Sequence, residues 1–197
     1  MKIAIITLDA FNELDSFIAS AILNRVNLPD WEVQICCPTD QVTSMNGVRI
    51  EAQQPIEYAN TADIVLFGSG MKTLEYANDA SFLKRLSLDP TKQLIGSQCS
   101  GALFLQRLGL LENTISTDTL TAPKLLEVGM EVADQPLYAE GNIASTGGCL
   151  SSYYLAAWMI TKATNWQTAA DIIHYVAPVG QKEMYVEMTK GALADYL

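Results

Sequence analysis

Short apolar runs alternate along the chain with longer segments in which apolar residues recur every three or four positions. That alternation is the signature of βα units wound around a mainly parallel sheet. Ile3 to Leu8 reads as a buried strand, and Asn12 then caps a helix whose Leu14, Phe17, Ile18, Ala21 and Ile22 share one face. Trp31 to Cys37 predicts a second strand. Val42 to Ser44 and Val48 to Ala52 flank Met45-Asn46-Gly47, and Asn-Gly is the strongest short hairpin signal. Asp63 to Phe67 predicts a strand that ends in Gly68-Ser69-Gly70, and Ser81 to Leu88 a helix. Leu94 to Gln98 predicts a strand that turns at Cys99-Ser100-Gly101 into a helix from Ala102 to Leu108, which Gly109 terminates. Ile115 to Thr117 and Ile143 to Thr146 read as short strands, followed by helices over Ser151 to Thr164, Trp166 to Val176 and Gln181 to Leu197. No repeat, linker or low-complexity tract interrupts the pattern, so residues 1–197 are expected to form one domain.

Composition narrows the classes. Hydrophobic residues make up 49% and charged residues 17%, enough apolar material for a core, which excludes a disordered chain. Twelve Lys+Arg against 22 Asp+Glu give a formal charge of −10 with no basic run. Such a chain is not built to grip nucleic acid or an anionic membrane surface. The N-terminal apolar run breaks at Asp9, too soon for a signal peptide or a span, so a cytoplasmic location is expected.

The chain has one histidine, His174, and four cysteines, Cys36, Cys37, Cys99 and Cys149. A site of several His ligands is therefore excluded, and no C-x-x-C pair marks a zinc ribbon or a redox motif, so no metal is expected. Nothing resembles a disulfide framework. Cys36 and Cys37 are adjacent on a strand and must point to opposite faces. They and Cys149 read as small buried apolar residues, the usual fate of free cysteine.

Cys99 differs. Ser97-Gln98-Cys99-Ser100-Gly101 lies between a strand and a helix, and a small-x-nucleophile-x-Gly sequence there is a nucleophile elbow. Small flanking residues allow a sharp turn, and the helix N-terminus is expected to lower the thiol pKa. Gly68-Ser69-Gly70 also follows a strand, where ligands of open α/β sheets bind, and its backbone N–H groups suit an oxyanion hole. Glu13 and Asp15 occupy the first turn of the first helix. Acids there complement the helix dipole, yet one of them can lean over Cys99 as a proton donor, and spacing does not choose between them. Glu75, Tyr76 and Tyr153 are further candidates for lining a pocket.

Taken together, Asn12-Glu-Leu-Asp-Ser-Phe17, Phe67-Gly-Ser-Gly70, Gln98-Cys-Ser-Gly-Ala-Leu-Phe-Leu105 and Ala144-Ser-Thr-Gly-Gly148 resemble the ThiJ/PfpI family of the glutamine amidotransferase-like superfamily. The resemblance runs over nearly the whole chain and implies a flavodoxin-like α/β three-layer sandwich with a mainly parallel central sheet and a small β-hairpin. It implies a homodimer, a small-molecule substrate, and no cofactor. It makes Cys99 the nucleophile, favours Asp15 over Glu13 as its acidic partner, and places Ser69 and Gly70 in the oxyanion loop. Ser100 would supply the amide after the nucleophile.

Two positions depart from the family. Ser100 stands where protease-like members carry His, and Ser116-Thr117-Asp118 where others carry His after a Thr pair, which leaves Glu13 and Asp118 as accessory candidates. His174 has no matching role. A cysteine followed by a small hydroxyl residue, with Leu-Asp upstream, resembles the isonitrile hydratases most. The expected activity is thus Cys99 attack on an isonitrile carbon, with Asp15 carrying the proton and Ser100 orienting. The alternatives are glyoxalase or deglycase chemistry on α-oxoaldehydes, or a non-catalytic oxidation sensor built on Cys99. Protease and amidotransferase activities are disfavoured, because no imidazole is placed to protonate an amine leaving group.

Overall fold

A computed structural model describes residues 1–197. In chain order the strands are β1 (Lys2–Ile6), β2 (Glu32–Cys37), β3 (Gln41–Thr43), β4 (Arg49–Glu51), β5 (Gln54–Pro55), β6 (Ile64–Phe67), β7 (Leu94–Gln98), β8 (Thr114–Ile115), β9 (Glu131–Val132), β10 (Leu137–Glu140) and β11 (Ile143–Thr146). The helices are α1 (Glu13–Leu23), α2 (Thr73–Asn78), α3 (Ala80–Leu83), α4 (Ala102–Arg107), α5 (Ala122–Glu127), α6 (Ser152–Ala163), α7 (Trp166–Val176) and α8 (Lys182–Leu193). None is long and apolar enough to cross a membrane.

Seven strands form the central sheet in the order β10, β11, β7, β6, β1, β2, β5. Every pairing is parallel except β10 with β11 at one edge. The β3–β4 hairpin stands apart, with Asn46 and Gly47 in its turn and Gly47 at φ +88°. Alternate residues of β1 face opposite ways. Ile3 and Ile5 enter one cluster of 22 buried residues with α1, α6 and α7; Ala4 and Ile6 enter another of 22 that includes Phe104 of α4. Two cores of equal size, one on each face, make this a three-layer sandwich. Cys36 and Cys37 part in the same way, Cys36 into the second core and Cys37 beneath the hairpin with Phe11.

The chain leaves β1 toward β2 and β5 on one side, then returns to β6, β7 and β11 on the other. The reversal opens a crevice beyond the carboxyl ends of β1 and β6, where ligands of doubly wound sheets bind. Close packing under that edge depends on Gly96 of β7. A Cβ there would lie 2.5 Å from Met159 Cε and 2.9 Å from Leu155, so α6 sits tightly on the strand that carries the elbow.

Some predicted elements are shorter. The helix expected over Ser81 to Leu88 ends at Leu83, because Asn60 accepts from the Ser87 N–H (2.8 Å) and donates to the Arg85 carbonyl (2.9 Å), drawing that backbone out of helical pairing. The last helix ends at Leu193, followed by a 3₁₀ turn over Ala194–Tyr196. The short α2, α5, β5 and β9 are too brief for a periodic signal, and tertiary contacts set them, whereas the unpredicted β10 forms a hairpin with β11 across Gly141-Asn142, with Gly141 at φ +60°.

Candidate active site

Four strand ends build the site. After β1 the backbone reaches Asn12, whose Oδ1 accepts from the Leu14 N–H (3.1 Å) and starts α1. One turn in, Asp15 is fully buried, pointing across the sheet edge. Glu13 turns the other way. It accepts from the Ser44 hydroxyl and from Asn46 Nδ2 (2.8 Å), bonds that hold its carboxyl below the usual range and tie α1 to the hairpin. Of the two acids that spacing left open, only Asp15 joins the cysteine.

After β6, the Ser69 carbonyl accepts from the Asn12 N–H (2.9 Å), and Gly70 pairs with Phe11. A Cβ on Gly70 would stand 2.4 Å from the Ala10 carbonyl oxygen, so glycine alone lets the two loops meet. The Ser69 hydroxyl donates to Asp15 Oδ2. Asp15 Oδ1 is buried without a hydrogen-bond partner.

After β7, Cys99 takes φ +47°, a left-handed conformation that costs a non-glycine residue about 1–3 kcal/mol and clusters at functional positions. Its surroundings hold it there: the Thr117 hydroxyl donates to the Cys99 carbonyl (2.8 Å), and Gly101 lies so close to β6 that a Cβ would be 2.6 Å from the Phe67 oxygen. The Ser100 hydroxyl points into the neighbouring loop, accepting from the Gly70 N–H (3.3 Å) and bonding Thr73 Oγ1 (3.0 Å). It braces that loop, and the Gly70 amide expected to face substrate is spent on it.

After β11, Gly147 and Gly148 lead into a 3₁₀ turn beginning at Cys149. Asn12 Nδ2 donates to Cys149 Sγ (3.1 Å). A carboxylate oxygen of Asp15, Cys99 Sγ and Cys149 Sγ all lie within 4.8 Å of one another. This corrects the reading of Cys149 as one more core residue: it is half-buried and belongs to the site. Asn12, read only as a helix cap, is the other residue missed. The Gly-Gly preceding Cys149, at a strand end like that of Gly68-Ser69-Gly70, was the available signal. Two sulfurs and an oxygen are also a donor set that suits a borderline cation such as Zn²⁺.

The electrostatics reverse another expectation. Burial first, then the Asp15 charge and the second thiol, push the Cys99 pKa up rather than down. Cys99 is only 4% exposed, so the cost of burying its charge comes first and the carboxylate beside it adds to it. Burial also raises Asp15, opposed by the Ser69 hydroxyl bonded to it and by the two thiols beside it. Burial and Asp15 raise Cys149, while the Asn12 amide works against them. The carboxyl ionises before either thiol, so Asp15 is a carboxylate waiting beside two protonated sulfurs.

Cys99 and Cys149 lie in the wall of a cleft of about 890 Å³ that Ser69, Gly70, Ser100 and Asp118 also line. Met45, Met71, Leu74 and Leu120 add apolar surface to its lining, and Lys124 is its one basic residue. Asp118 Oδ1 holds the turn that precedes α5, accepting from the Leu120 and Thr121 N–H groups, and its Oδ2 is buried without a partner. Glu75, Tyr76 and Tyr153 do not line this cleft; Tyr76 packs on Phe82, and Tyr153 on Tyr154 and Tyr185. His174 sits on α7, exposed and 3.4 Å from Glu183.

The DJ-1/PfpI family model matches residues 1–162. Among solved structures, DJ-1 of Schizosaccharomyces pombe is 15% identical with a TM-score of 0.77, covering 90% of this chain and 100% of its own. Drosophila melanogaster DJ-1beta is 16% identical, TM-score 0.76, covering 89% and 96%. A ThiJ/PfpI family protein from Pseudomonas syringae is 18% identical, TM-score 0.76, covering 98% and 89%. At such identities the likeness speaks to the fold alone. No curated protein matches the chain.

Proposed function

The chain belongs to the DJ-1/PfpI family, and on that footing we propose that it is a cysteine enzyme adding water to small isonitriles, with Cys99 as nucleophile and Asp15 as proton carrier. One observation carries the reading. A buried carboxylate lies against the elbow thiol, and no imidazole shares the site, since the sole histidine is on α7. Chemistry that must protonate an amine leaving group is poorly served by that arrangement. Hydration of an isonitrile needs only one proton moved at a time, which a carboxyl supplies.

As the Cys99 sulfur adds to the isonitrile carbon, Asp15 takes the thiol proton and returns it to that carbon, leaving an enzyme-bound thioimidate. Water then adds to the same carbon, Asp15 relays a proton to nitrogen, and the C–S bond breaks to release an N-substituted formamide and the thiol. A carboxylate with a raised pKa is the stronger base for the first step. Ser100 contributes its position, bracing the Gly70 loop through its hydroxyl. Apolar lining from Met45, Met71, Leu74 and Leu120 suits an apolar N-substituent.

The test is incubation of purified protein with alkyl and aryl isonitriles and detection of the formamides. Turnover that vanishes in Cys99→Ala is expected, and isonitriles left unchanged at high enzyme concentration overturn the proposal. Methylglyoxal consumed only with Cys99 present would move the same sulfur chemistry to α-oxoaldehydes.

A further inference from the structure

Beside the elbow thiol stands a second thiol that hydration does not use. From the juxtaposition of Cys99 and Cys149 beside Asp15 we infer that the two sulfurs are a redox pair, closing into an intramolecular disulfide when a hydroperoxide enters the cleft. Their sulfurs lie within 4.8 Å. Reaching a bond of about 2 Å takes a displacement of about 3 Å or less, within the swing of a changed χ1 rotamer. Cys149 has the freedom for it, being half-buried on a 3₁₀ turn that Gly148 introduces at φ +82°.

The surroundings divide the roles. Cys149 faces the cleft, and the Asn12 amide donates to its sulfur at 3.1 Å, which favours the thiolate; Cys99 is more deeply buried. As Asp15 takes the Cys149 proton, the Cys149 sulfur attacks the outer oxygen of the hydroperoxide, the O–O bond breaks, and the departing alkoxide takes that proton and leaves as an alcohol. Cys149 is then a sulfenic acid. The Cys99 sulfur attacks the Cys149 sulfur while Asp15 accepts the Cys99 proton. The S–O bond breaks, and hydroxide takes that proton and leaves as water. Two thiols have lost two electrons and two protons, and one peroxide has become an alcohol and water.

Cys36 and Cys37 provide the control within the same chain. Both are buried, with thiols pushed up to about 12 and about 11 by burial, and neither lines the Cys99 cleft. The inference does not rest on isonitrile hydration: it is tested without substrate, and hydration is tested on reduced protein.

The experiment treats the full chain with stoichiometric tert-butyl hydroperoxide in chelator-treated buffer, then counts thiols in denaturant and maps peptides. The expected result is loss of two of the four thiols, a cross-link joining the Cys99 and Cys149 peptides, and full recovery with dithiothreitol. Cys149→Ser and Cys149→Ala, at a half-exposed position, are expected to lose the cross-link and keep the fold, with any oxidation of Cys99 proceeding to sulfinic acid. The inference is overturned if wild-type Cys99 becomes sulfinic acid while Cys149 stays a thiol. No thiol loss, or a disulfide only between chains, overturns it as well.

Discussion

The Asp15 carboxyl lies against the Cys99 thiol with no lysine or arginine among the groups acting on either, so the pair cannot carry two negative charges. Burial penalises both ions, and each charge penalises the other. The proton is therefore held on sulfur at rest, and in the proposed mechanism Asp15 is the group that removes it.

Removing the buried charge should stabilise the fold. The folded-state pKa of Asp15 is raised, so its favourable contribution is complete only below the unfolded carboxyl value, near 3.9, and is lost as pH rises through the folded value. At neutral pH the ionised group is a cost. Asp15→Asn is expected to melt above wild type at pH 7, by about 2–4 °C for each kcal/mol regained, with the gap narrowing toward pH 4. The same variant should lose about 10²–10⁴ in kcat. Paired melts across pH and steady-state rates check both, and an Asn variant less stable at pH 7 than at pH 4 relative to wild type contradicts the sign.

Ser69 sets where Asp15 titrates. Its hydroxyl donates to Asp15 Oδ2 and pulls the carboxyl pKa down. Ser69→Ala leaves Asp15 higher still. Because the base must be ionised, the acid limb of the kcat/KM–pH profile should move to higher pH, with about 1–3 kcal/mol of stability lost from the unsatisfied carboxylate. An unmoved acid limb would disconnect Asp15 from the rate.

Gly101 tests the elbow itself. An added methyl would meet the Phe67 and Gly68 carbonyl oxygens at 2.6 and 2.8 Å, backbone atoms that cannot rotate away. Gly101→Ala should cost about 1–3 kcal/mol in denaturant melts and lower kcat by displacing Cys99. Wild-type stability and rate in this variant would show that the close approach is not needed.

His174 should be dispensable. Exposed on α7 and partnered only by Glu183, it is not among the cleft's lining residues. His174→Ala is expected to keep kcat/KM within twofold and stability within about 0.5 kcal/mol. A tenfold fall in rate would demand a route from α7 to the site.

The alternation of strands and helices, the Asn46-Gly47 hairpin and the elbow at Cys99 were legible because each rests on near neighbours in the chain: a period of two or of 3.6, a turn residue, a small residue beside a sharp bend. The short elements were not, since β5 exists only by pairing with β2 and β9 only by pairing with β8, and Asn60 cuts short the helix begun at Ala80. The site divides along the same line. Asp15 and Glu13 are equivalent in spacing, and only the hairpin, by occupying Glu13, and the sheet edge, by burying Asp15, separate them. Cys149 joined Cys99 because β11 runs parallel beside β7, bringing two strand ends some fifty residues apart onto one edge. The rise in the Cys99 pKa has the same origin. A helix N-terminus is written in local sequence, whereas burial and a carboxylate from another strand end come only with the fold.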